Sequence, residues 1–344
     1  MIRIEKERID EFIRTLMETR AVYAPALDGK NTMFAPVEDP AGIDHNIFNT
    51  DKSPKEIFFP HSEVLFEYEG EEIKKVERDV RPIVVWGLRG CDARSLRLLD
   101  KVFGSAWQKP GNDMFEDPYW KEKYDDAIIF GTACNEPRST CFCNWFGSGP
   151  HDDAGMDVKV VDTEEAFILD PVSEKGKKFI GSLKGWAEAT KKDLATIKAV
   201  REKAEGLMGE AFGMEGIAEK MADLFFKPVW DDIGAKCVNC GACAFICSTC
   251  HCFDVQDEGK KGKKGKRIRI WDTCMFPLFT KEASGHNPRD MSKDRLRQRF
   301  MHKFSYFISN YDEHLCTGCG RCVSVCPVNL DIRDVVRAVM TSEA

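Results

Sequence analysis

The sequence contains no apolar run long enough to cross a membrane. Its longest apolar stretches, such as 83–86 and 127–130, have the length of buried strands, whereas a membrane-spanning helix needs about twenty apolar residues. The first residues are charged where a secretion signal would be apolar, so we expect a cytoplasmic protein. The sequence also lacks a strand-GxGxxG-helix pattern and a P-loop, so we do not expect the chain itself to bind NAD.

Cysteine, by contrast, is abundant, with fifteen residues in a chain of 344. Without a secretion signal, this number indicates metal or redox chemistry rather than disulfides. The formal net charge is −7, which argues against a dedicated nucleic-acid-binding protein. The length is sufficient for two domains, each with its own core.

Eight of the cysteines form two runs with the same spacing. In each run the first three cysteines have two residues between each neighbouring pair, and a fourth cysteine follows after three more residues. This is the bacterial ferredoxin pattern for binding [4Fe-4S] clusters. Gly241 and Gly320 permit loop conformations that a side chain would obstruct. The two runs are Cys237, Cys240, Cys243, Cys247 and Cys316, Cys319, Cys322, Cys326.

In two-cluster ferredoxins the fourth cysteine of each run binds the other cluster. Carried over to this sequence, this exchange gives cluster 1 the ligands Cys237, Cys240, Cys243 and Cys326, and cluster 2 the ligands Cys316, Cys319, Cys322 and Cys247. Pro327 follows the last cysteine of the second run, and Ser248 stands at the matching place of the first. That departure removes no thiolate. Paired cysteines also build zinc sites, so a zinc-bound structural or interaction protein is the alternative.

The N-terminal half has the pattern of a mixed α/β sheet. Apolar spacing predicts a first helix over 4–19. Buried strands at 81–86 and 125–130 each end in a loop that carries a cysteine, and a helix over 94–103 follows the first of them. The remaining predictions are a hairpin of 21–26 and 32–37, a loop over 53–60, strands at 63–68, 158–161 and 166–169, and a polar turn at 174–178.

Four further cysteines are predicted to share the loops of this sheet. Cys91 and Cys134 follow the two buried strands, at the edge where α/β folds place their sites, and Cys141 and Cys143 follow in a compact loop. They suggest a third [4Fe-4S] cluster, although their spacing matches no standard run. The alternatives are buried structural cysteines or one redox-active thiol.

The C-terminal part begins after a helical segment. We predict an α+β protein with an N-terminal α/β domain over 1–180, a helical linker over 181–230 and a ferredoxin-like domain with two clusters over 231–344. Within the last domain, a hairpin with a basic tip at 259–266 separates Cys250 and Cys252 from Cys274. These three thiols and His251 either bind a metal or pack against the clusters, and packing is favoured.

The motifs together resemble a family of iron-sulfur electron-transfer proteins. This family comprises the beta subunits of sulfhydrogenases, the corresponding iron-sulfur subunits of anaerobic sulfite reductases, and flavin oxidoreductases associated with heterodisulfide reductase. Beyond the two runs, the resemblance is carried by 87–92, 141–143, 250–255, 271–274 and 302–304. It spans nearly the whole chain.

This resemblance implies a non-catalytic electron-transfer subunit of an anaerobic oxidoreductase complex, with no catalytic residue of its own. Its partners would be a subunit that binds flavin and NAD(P)H and a terminal hydrogenase, sulfite reductase or heterodisulfide reductase unit. Flavin delivers electrons that clusters carry singly. Arg321, His302 and Lys303 are predicted to tune the clusters. A stand-alone iron-sulfur reductase is the other alternative.

Overall fold

The computed structural model describes residues 1–47, 49–78, 81–104, 116–259 and 263–343. The chain divides into two compact units. Unit 1 comprises Met1–Phe58, Val80–Gly213 and Thr317–Gly320, and unit 2 comprises Phe59–Asp79, Met214–Cys316 and Arg321–Ala344. Each unit therefore contains segments from distant parts of the sequence.

In chain order, the strands are β1 (Ile2–Glu5), β2 (Ala21–Asp28), β3 (Asn31–Pro36), β4 (Ser62–Glu69), β5 (Glu72–Lys75), β6 (Ile83–Arg89), β7 (Ile128–Thr132), β8 (Val158–Asp162), β9 (Ala166–Pro171), β10 (Ala187–Glu188), β11 (Phe253–Gly259) and β12 (Lys264–Trp271). The α-helices are α1 (Ile9–Met17), α2 (Lys55–Phe58), α3 (Gly90–Phe103), α4 (Pro118–Tyr124), α5 (Glu174–Ser182), α6 (Lys191–Gly206), α7 (Ile217–Asp223), α8 (Val229–Ala235), α9 (Ala242–Phe245), α10 (Ser292–Met301), α11 (Phe307–Tyr311), α12 (Arg321–Val325) and α13 (Ile332–Thr341). A π-helical turn, His302–Tyr306, joins α10 to α11.

Unit 1 is built on an eight-stranded mixed sheet with the strand order β10-β1-β9-β8-β7-β6-β2-β3. Strands β2, β6, β7 and β8 are parallel neighbours, and the pairs at both ends of the sheet are antiparallel. Residues 83–86 and 128–130 are buried without alternation, as expected for parallel strands that are covered on both faces. The predicted mixed α/β sheet is therefore present.

Helix α1 covers the core of this sheet with its apolar face. Ile9, Phe12, Ile13 and Leu16 are all buried, at the spacing of one helix face. The Phe12 ring lies 5.8 Å from that of Trp86 and 6.2 Å from that of Phe130. Complete burial of such a side chain contributes about 2–3 kcal/mol.

The predicted first helix is wrong at its start, because residues 2–5 form strand β1. These residues pair antiparallel with β9, with Ile2 opposite Leu169 and Glu5 opposite Ala166. Ile4 fits the helical spacing of α1, but it is fully buried in the sheet core instead. Pairing with a distant strand thus overrides a local pattern.

Three other predicted elements of unit 1 differ from the structure. The predicted loop over 53–60 contains helix α2. The polar turn predicted at 174–178 is the start of helix α5, where the Ser173 hydroxyl accepts a hydrogen bond of 2.9 Å from Gly176 N. Helix α3 begins at Gly90 rather than near residue 94, so Cys91 lies in its first turn and not in a loop.

Unit 2 contains a four-stranded antiparallel sheet with the order β11-β12-β4-β5. The predicted strand at 63–68 is β4, and it pairs with β12 across about two hundred residues of sequence. A buried ion pair of 2.5 Å between Arg269 and Glu63 links these two strands. Helix α10 packs against α8, α9 packs against α12, and α13 packs against α7 and α8.

The unit boundaries differ from the predicted domains. The pairing of β4 with β12 places 59–79 in unit 2, and the long helix α6 belongs to unit 1 rather than to a separate linker. The predicted hairpin of the C-terminal part is present as β11 and β12, but the middle of its basic tip lies outside the described residues. Among the helices described, none has the length and apolar character needed to span a membrane.

Candidate metal centre

Five predicted cluster ligands line one cavity of unit 2. Cys237, Cys240 and Cys243 come from the first run, and Cys326 comes from the second. Cys322 also reaches the wall of this cavity. Most of the remaining wall is apolar: Met275, Leu296, Phe300, Val328, Leu330 and Ile332. The arrangement brings the third and fourth cysteines of the second run to the first three cysteines of the first run.

The short helices α9 and α12 explain how the runs meet. Cys243 lies in α9 and Cys322 lies in α12, and these helices pack against each other. Gly241, which precedes α9, has φ +77, and a Cβ there would approach the Phe276 ring at 2.8 Å. Glycine is therefore required at this position for both its conformation and its size.

Backbone N–H groups point at two of the cavity thiols. Asn239 N donates to Cys237 Sγ at 3.4 Å, and Leu330 N donates to Cys326 Sγ at 3.2 Å. Burial raises the pKa of Cys237, the Asn239 N–H lowers it, and the thiols of Cys243, Cys240 and Cys326 raise it further. Four convergent thiols, amide donors and an apolar wall are the donor set and surroundings that suit a [4Fe-4S] cluster.

A buried lysine contacts the fourth cysteine of the first run. Lys303 is 2% exposed, and its Nζ donates to Cys247 Sγ at 3.3 Å, to Thr249 Oγ1 at 2.9 Å and to the carbonyl oxygen of Leu315 at 2.9 Å. Burial alone would lower the pKa of Lys303, but the thiols of Cys247 and Cys250 raise it overall. Lys303 is therefore a buried positive charge.

The same surroundings favour the thiolate of Cys247. A hydrogen bond from the Cys250 thiol is the main reason that the pKa of Cys247 lies well below its usual value, and the charges of Lys303 and Arg299 add to it. Cys316 follows Leu315 directly in the sequence and is also an electrostatic neighbour of Lys303. Of the predicted cluster 2 ligands, Cys319 alone belongs to unit 1.

Arg299 is a second buried cation, and sequence reasoning assigned it no role. It is 4% exposed and lines the cavity described above, and it donates to Cys250 Sγ at 3.5 Å. Burial opposes its charge, but Cys243, Cys250 and Cys247 raise its pKa well above the usual value. Arg299 therefore acts on thiols of both predicted clusters. Arg299 precedes Lys303 by four residues, about one helix turn, and this spacing in the sequence indicates that both side chains lie on the same helix face.

The other predicted tuning residues differ in character. Burial, with His251 and Lys303 nearby, lowers the pKa of His302 to about 3, so the ring is neutral near pH 7. Its centroid lies 5.2 Å from that of His251. Arg321 is buried at the start of α12. The tuning roles of Arg321, His302 and Lys303 stay predictions.

Two of the remaining cysteines meet at the base of the β11–β12 hairpin. A hydrogen bond with Cys252, and then burial, raises the pKa of Cys274, and Asp272 N donates to the carbonyl oxygen of Cys252 at 3.1 Å. Within the described ranges, no three His, Cys, Asp or Glu side chains are arranged around a single metal ion. Metal binding or packing by Cys250, Cys252 and Cys274 stays a prediction.

The N-terminal cysteines gather at one edge of the sheet of unit 1. Cys91 and Cys134 follow the parallel neighbours β6 and β7. Burial raises the pKa of Cys134 to about 11, with Arg89 opposing and Cys141 adding to the rise. Burial likewise raises the pKa of Cys143 to about 12, and Cys134 and Cys141 add to it. Three of the four thiols are therefore mutual electrostatic neighbours.

Within unit 1, the segment Thr317–Gly320 packs against the loop that contains Cys141 and Cys143. Phe142 N donates to the carbonyl oxygen of Gly318 at 2.9 Å, and Asn49 Nδ2 donates to that of Cys319 at 3.3 Å. Gly318 has φ +65, and a Cβ on it would lie 2.5 Å from Cys143 N. The loop that carries Cys319 is thus seated directly on Cys143, a contact that the spacing of the cysteines does not reveal.

Comparisons with known proteins agree with this chemistry. The family model of a 4Fe-4S dicluster domain matches residues 236–330, which include all eight cysteines of the two runs. Sulfhydrogenase 2 subunit beta of Pyrococcus furiosus is 29% identical over 335 residues, which cover 96% of this chain and 95% of that protein. No solved structure matches significantly. These matches confirm the resemblance drawn from the motifs: the chain contains a 4Fe-4S dicluster domain and is similar over nearly its whole length to a sulfhydrogenase beta subunit.

Proposed function

We propose that the chain binds two [4Fe-4S] clusters and passes single electrons inside an oxidoreductase complex of the hydrogenase type. The observation that carries the proposal is the cavity lined by Cys237, Cys240 and Cys243 of one run and by Cys322 and Cys326 of the other. In this assignment Cys316, Cys319, Cys322 and Cys247 hold the second cluster. A bound cluster supplies one-electron oxidation and reduction.

The residues around the thiols support that role. The amides of Asn239 and Leu330 donate to sulfur, and most of the cavity wall is apolar. Arg299 and Lys303 hold positive charge next to sulfur atoms, which favours the more negative, reduced form. The chain needs no substrate pocket for this function.

The similarity to a sulfhydrogenase beta subunit supports a place for the chain in a multi-subunit complex. We propose one partner that binds flavin and NAD(P)H, because a flavin takes up a hydride as two electrons that clusters then carry singly. The other partner is the terminal catalytic unit, for which a hydrogenase is favoured over a sulfite or heterodisulfide reductase. Anaerobic purification from the native host should recover the chain with both partners. A partner-free protein that turns over a substrate would instead support the stand-alone reductase.

The exchange of fourth cysteines can be tested with two double variants that remove equal numbers of thiols. In C237S/C326S both changes fall on the proposed first cluster, so the second should keep its iron and its EPR signal after dithionite reduction. In C237S/C322S the changes fall on different clusters, so both should be altered. If instead C237S/C326S alters both signals and C237S/C247S alters only one, each run binds its own cluster and the assignment is wrong. Zinc in place of iron in the wild-type protein would support the structural alternative.

A further inference from the structure

The N-terminal cysteines form a site separate from the two runs. We propose that Cys134, Cys141 and Cys143, with Cys91 at the neighbouring strand end, bind a third [4Fe-4S] cluster that exchanges electrons with the cluster served by Cys319. The inference rests on the proposed function for cluster 2, and on contacts within unit 1 for the site itself.

The fold places these thiols together by a simple route. Strands β6 and β7 are parallel neighbours, with Arg89 opposite Thr132 at their ends. The chain after both strands therefore emerges at the same edge of the sheet, with Cys91 two residues beyond Arg89 and Cys134 two residues beyond Thr132. Cys134 N donates to the carbonyl oxygen of Pro150 at 2.8 Å, which closes the loop that contains Cys141 and Cys143.

The surroundings suit an anionic cluster. Arg89 is buried, and its guanidinium donates to the carbonyl oxygen of Ala133, next to Cys134, at 2.9 Å. A fixed positive charge there favours thiolate ligands. Phe142, Trp145 and Phe146 are buried beside the thiols and pack on one another. Cys134, Cys141 and Cys143 would supply three ligands of a cubane, and Cys91 at the neighbouring strand end would supply the fourth.

The connection to cluster 2 comes from the segment Thr317–Gly320. Its backbone is held by Phe142 N and by the Asn49 amide, and Gly318 lies against Cys143 N so closely that a Cβ would overlap it. Gly320 lies against the carbonyl oxygen of Thr140 in the same way. Cys319, a proposed ligand of cluster 2, is therefore carried by a loop that touches the N-terminal site. An electron can pass between the two sites without a proton or a covalent change.

The first test is the iron content of the complete chain, purified anaerobically. Three cubanes require about twelve iron atoms per chain and two require about eight. The C134S variant should lower the count by up to about four, which is one cubane, and should leave the dithionite-reduced EPR signals of the two runs in place. A127S is the matched control, because it also adds a serine hydroxyl at a fully buried position but at the opposite end of β7; it should keep the wild-type count.

The second test addresses the exchange of electrons. Reduced clusters that lie close together broaden each other's EPR lines, so C134S should sharpen the signal that depends on Cys319. G318A should also disturb this interaction, because its Cβ would overlap Cys143 N. G29A is the control: Gly29 has φ +61 like Gly318 at +65, but it has no atom within 4 Å of the added Cβ.

The outcomes separate this inference from the proposed function. Eight irons that are unchanged in C134S would overturn the third cluster and leave the two-cluster function intact. Twelve irons with line shapes that C134S and G318A do not alter would overturn the electron exchange. A wild-type chain that holds no iron would overturn the proposed function itself.

Discussion

Lys303 offers the sharpest test of how the chain controls its clusters. The K303M variant replaces a buried ammonium by an apolar side chain of similar length. The ammonium lies 3.3 Å from Cys247 Sγ, and an electron delocalised over a cluster bound by this thiolate would lie farther away, for which we use a distance of roughly 6 Å. At an effective dielectric constant of about 20, a unit charge at that distance contributes about 3 kcal/mol. This is about a hundredfold in the reduction equilibrium, or about 120 mV for one electron.

The direction of the shift follows from the sign of the charge. The ammonium stabilises the extra negative charge of the reduced cluster, so its removal should make the reduction potential of cluster 2 more negative by about 120 mV. The assay is an EPR-monitored redox titration of the anaerobic protein. K303R keeps the charge and should stay close to the wild type, and K281M removes a surface charge of unit 2 and should change little.

Arg299 gives the contrasting pattern. Because it lines the cavity of cluster 1 and also contacts Cys250, R299M should lower the potentials of both clusters, whereas K303M should lower mainly one. A K303M protein with unchanged potentials, or with a more positive one, would refute the reasoning. An equal shift in K303R would show that packing, not charge, is responsible.

Three predictions concern stability and can be checked by anaerobic thermal or denaturant unfolding. E63Q should destabilise the protein by about 3–5 kcal/mol, because it removes the carboxylate that pairs with the buried Arg269 at 2.5 Å; unchanged stability would contradict this. Burial, with two nearby cations adding, lowers the pKa of His151 from 6.5 to about 4, so the folded state resists protonation and stability should fall as the pH drops from about 6.5 towards 4, by at most about 1.4 kcal/mol per pH unit. H151Q should show a weaker fall between pH 7 and pH 5 than the wild type, and equal slopes would refute this. G176A should destabilise by more than about 1 kcal/mol, because its Cβ would overlap the carbonyl oxygen of Asp157, whereas G181A in the same helix has open space and should not.

Local patterns predicted much of unit 1. The buried strands β6 and β7 and the β2–β3 hairpin follow from runs and alternation of apolar residues, which short windows of sequence reveal. Strand β1 could not be found this way, since Ile4 continues the helical spacing of α1 and only pairing with β9 makes it a strand. Helix α5 was hidden by Gly176, a residue that disfavours helix interiors.

Likewise, one part of the candidate site can be predicted from the sequence and another part cannot. The spacing of the two runs predicts eight cysteine ligands without any structural knowledge, because it is the spacing that bacterial ferredoxins use to bind [4Fe-4S] clusters. The role of Arg299 depends on the burial of one helix face. The close packing of Gly318 against the backbone of Cys143 joins two residues that are 175 positions apart in the sequence. Spacing along the chain carries no information on such contacts.

The most direct measurement is iron analysis combined with EPR on the anaerobically purified chain before and after dithionite. The account predicts at least about eight iron atoms per chain, with cubane signals that appear on reduction. A chain that carries zinc and no iron, and that stays EPR-silent after reduction, would contradict it.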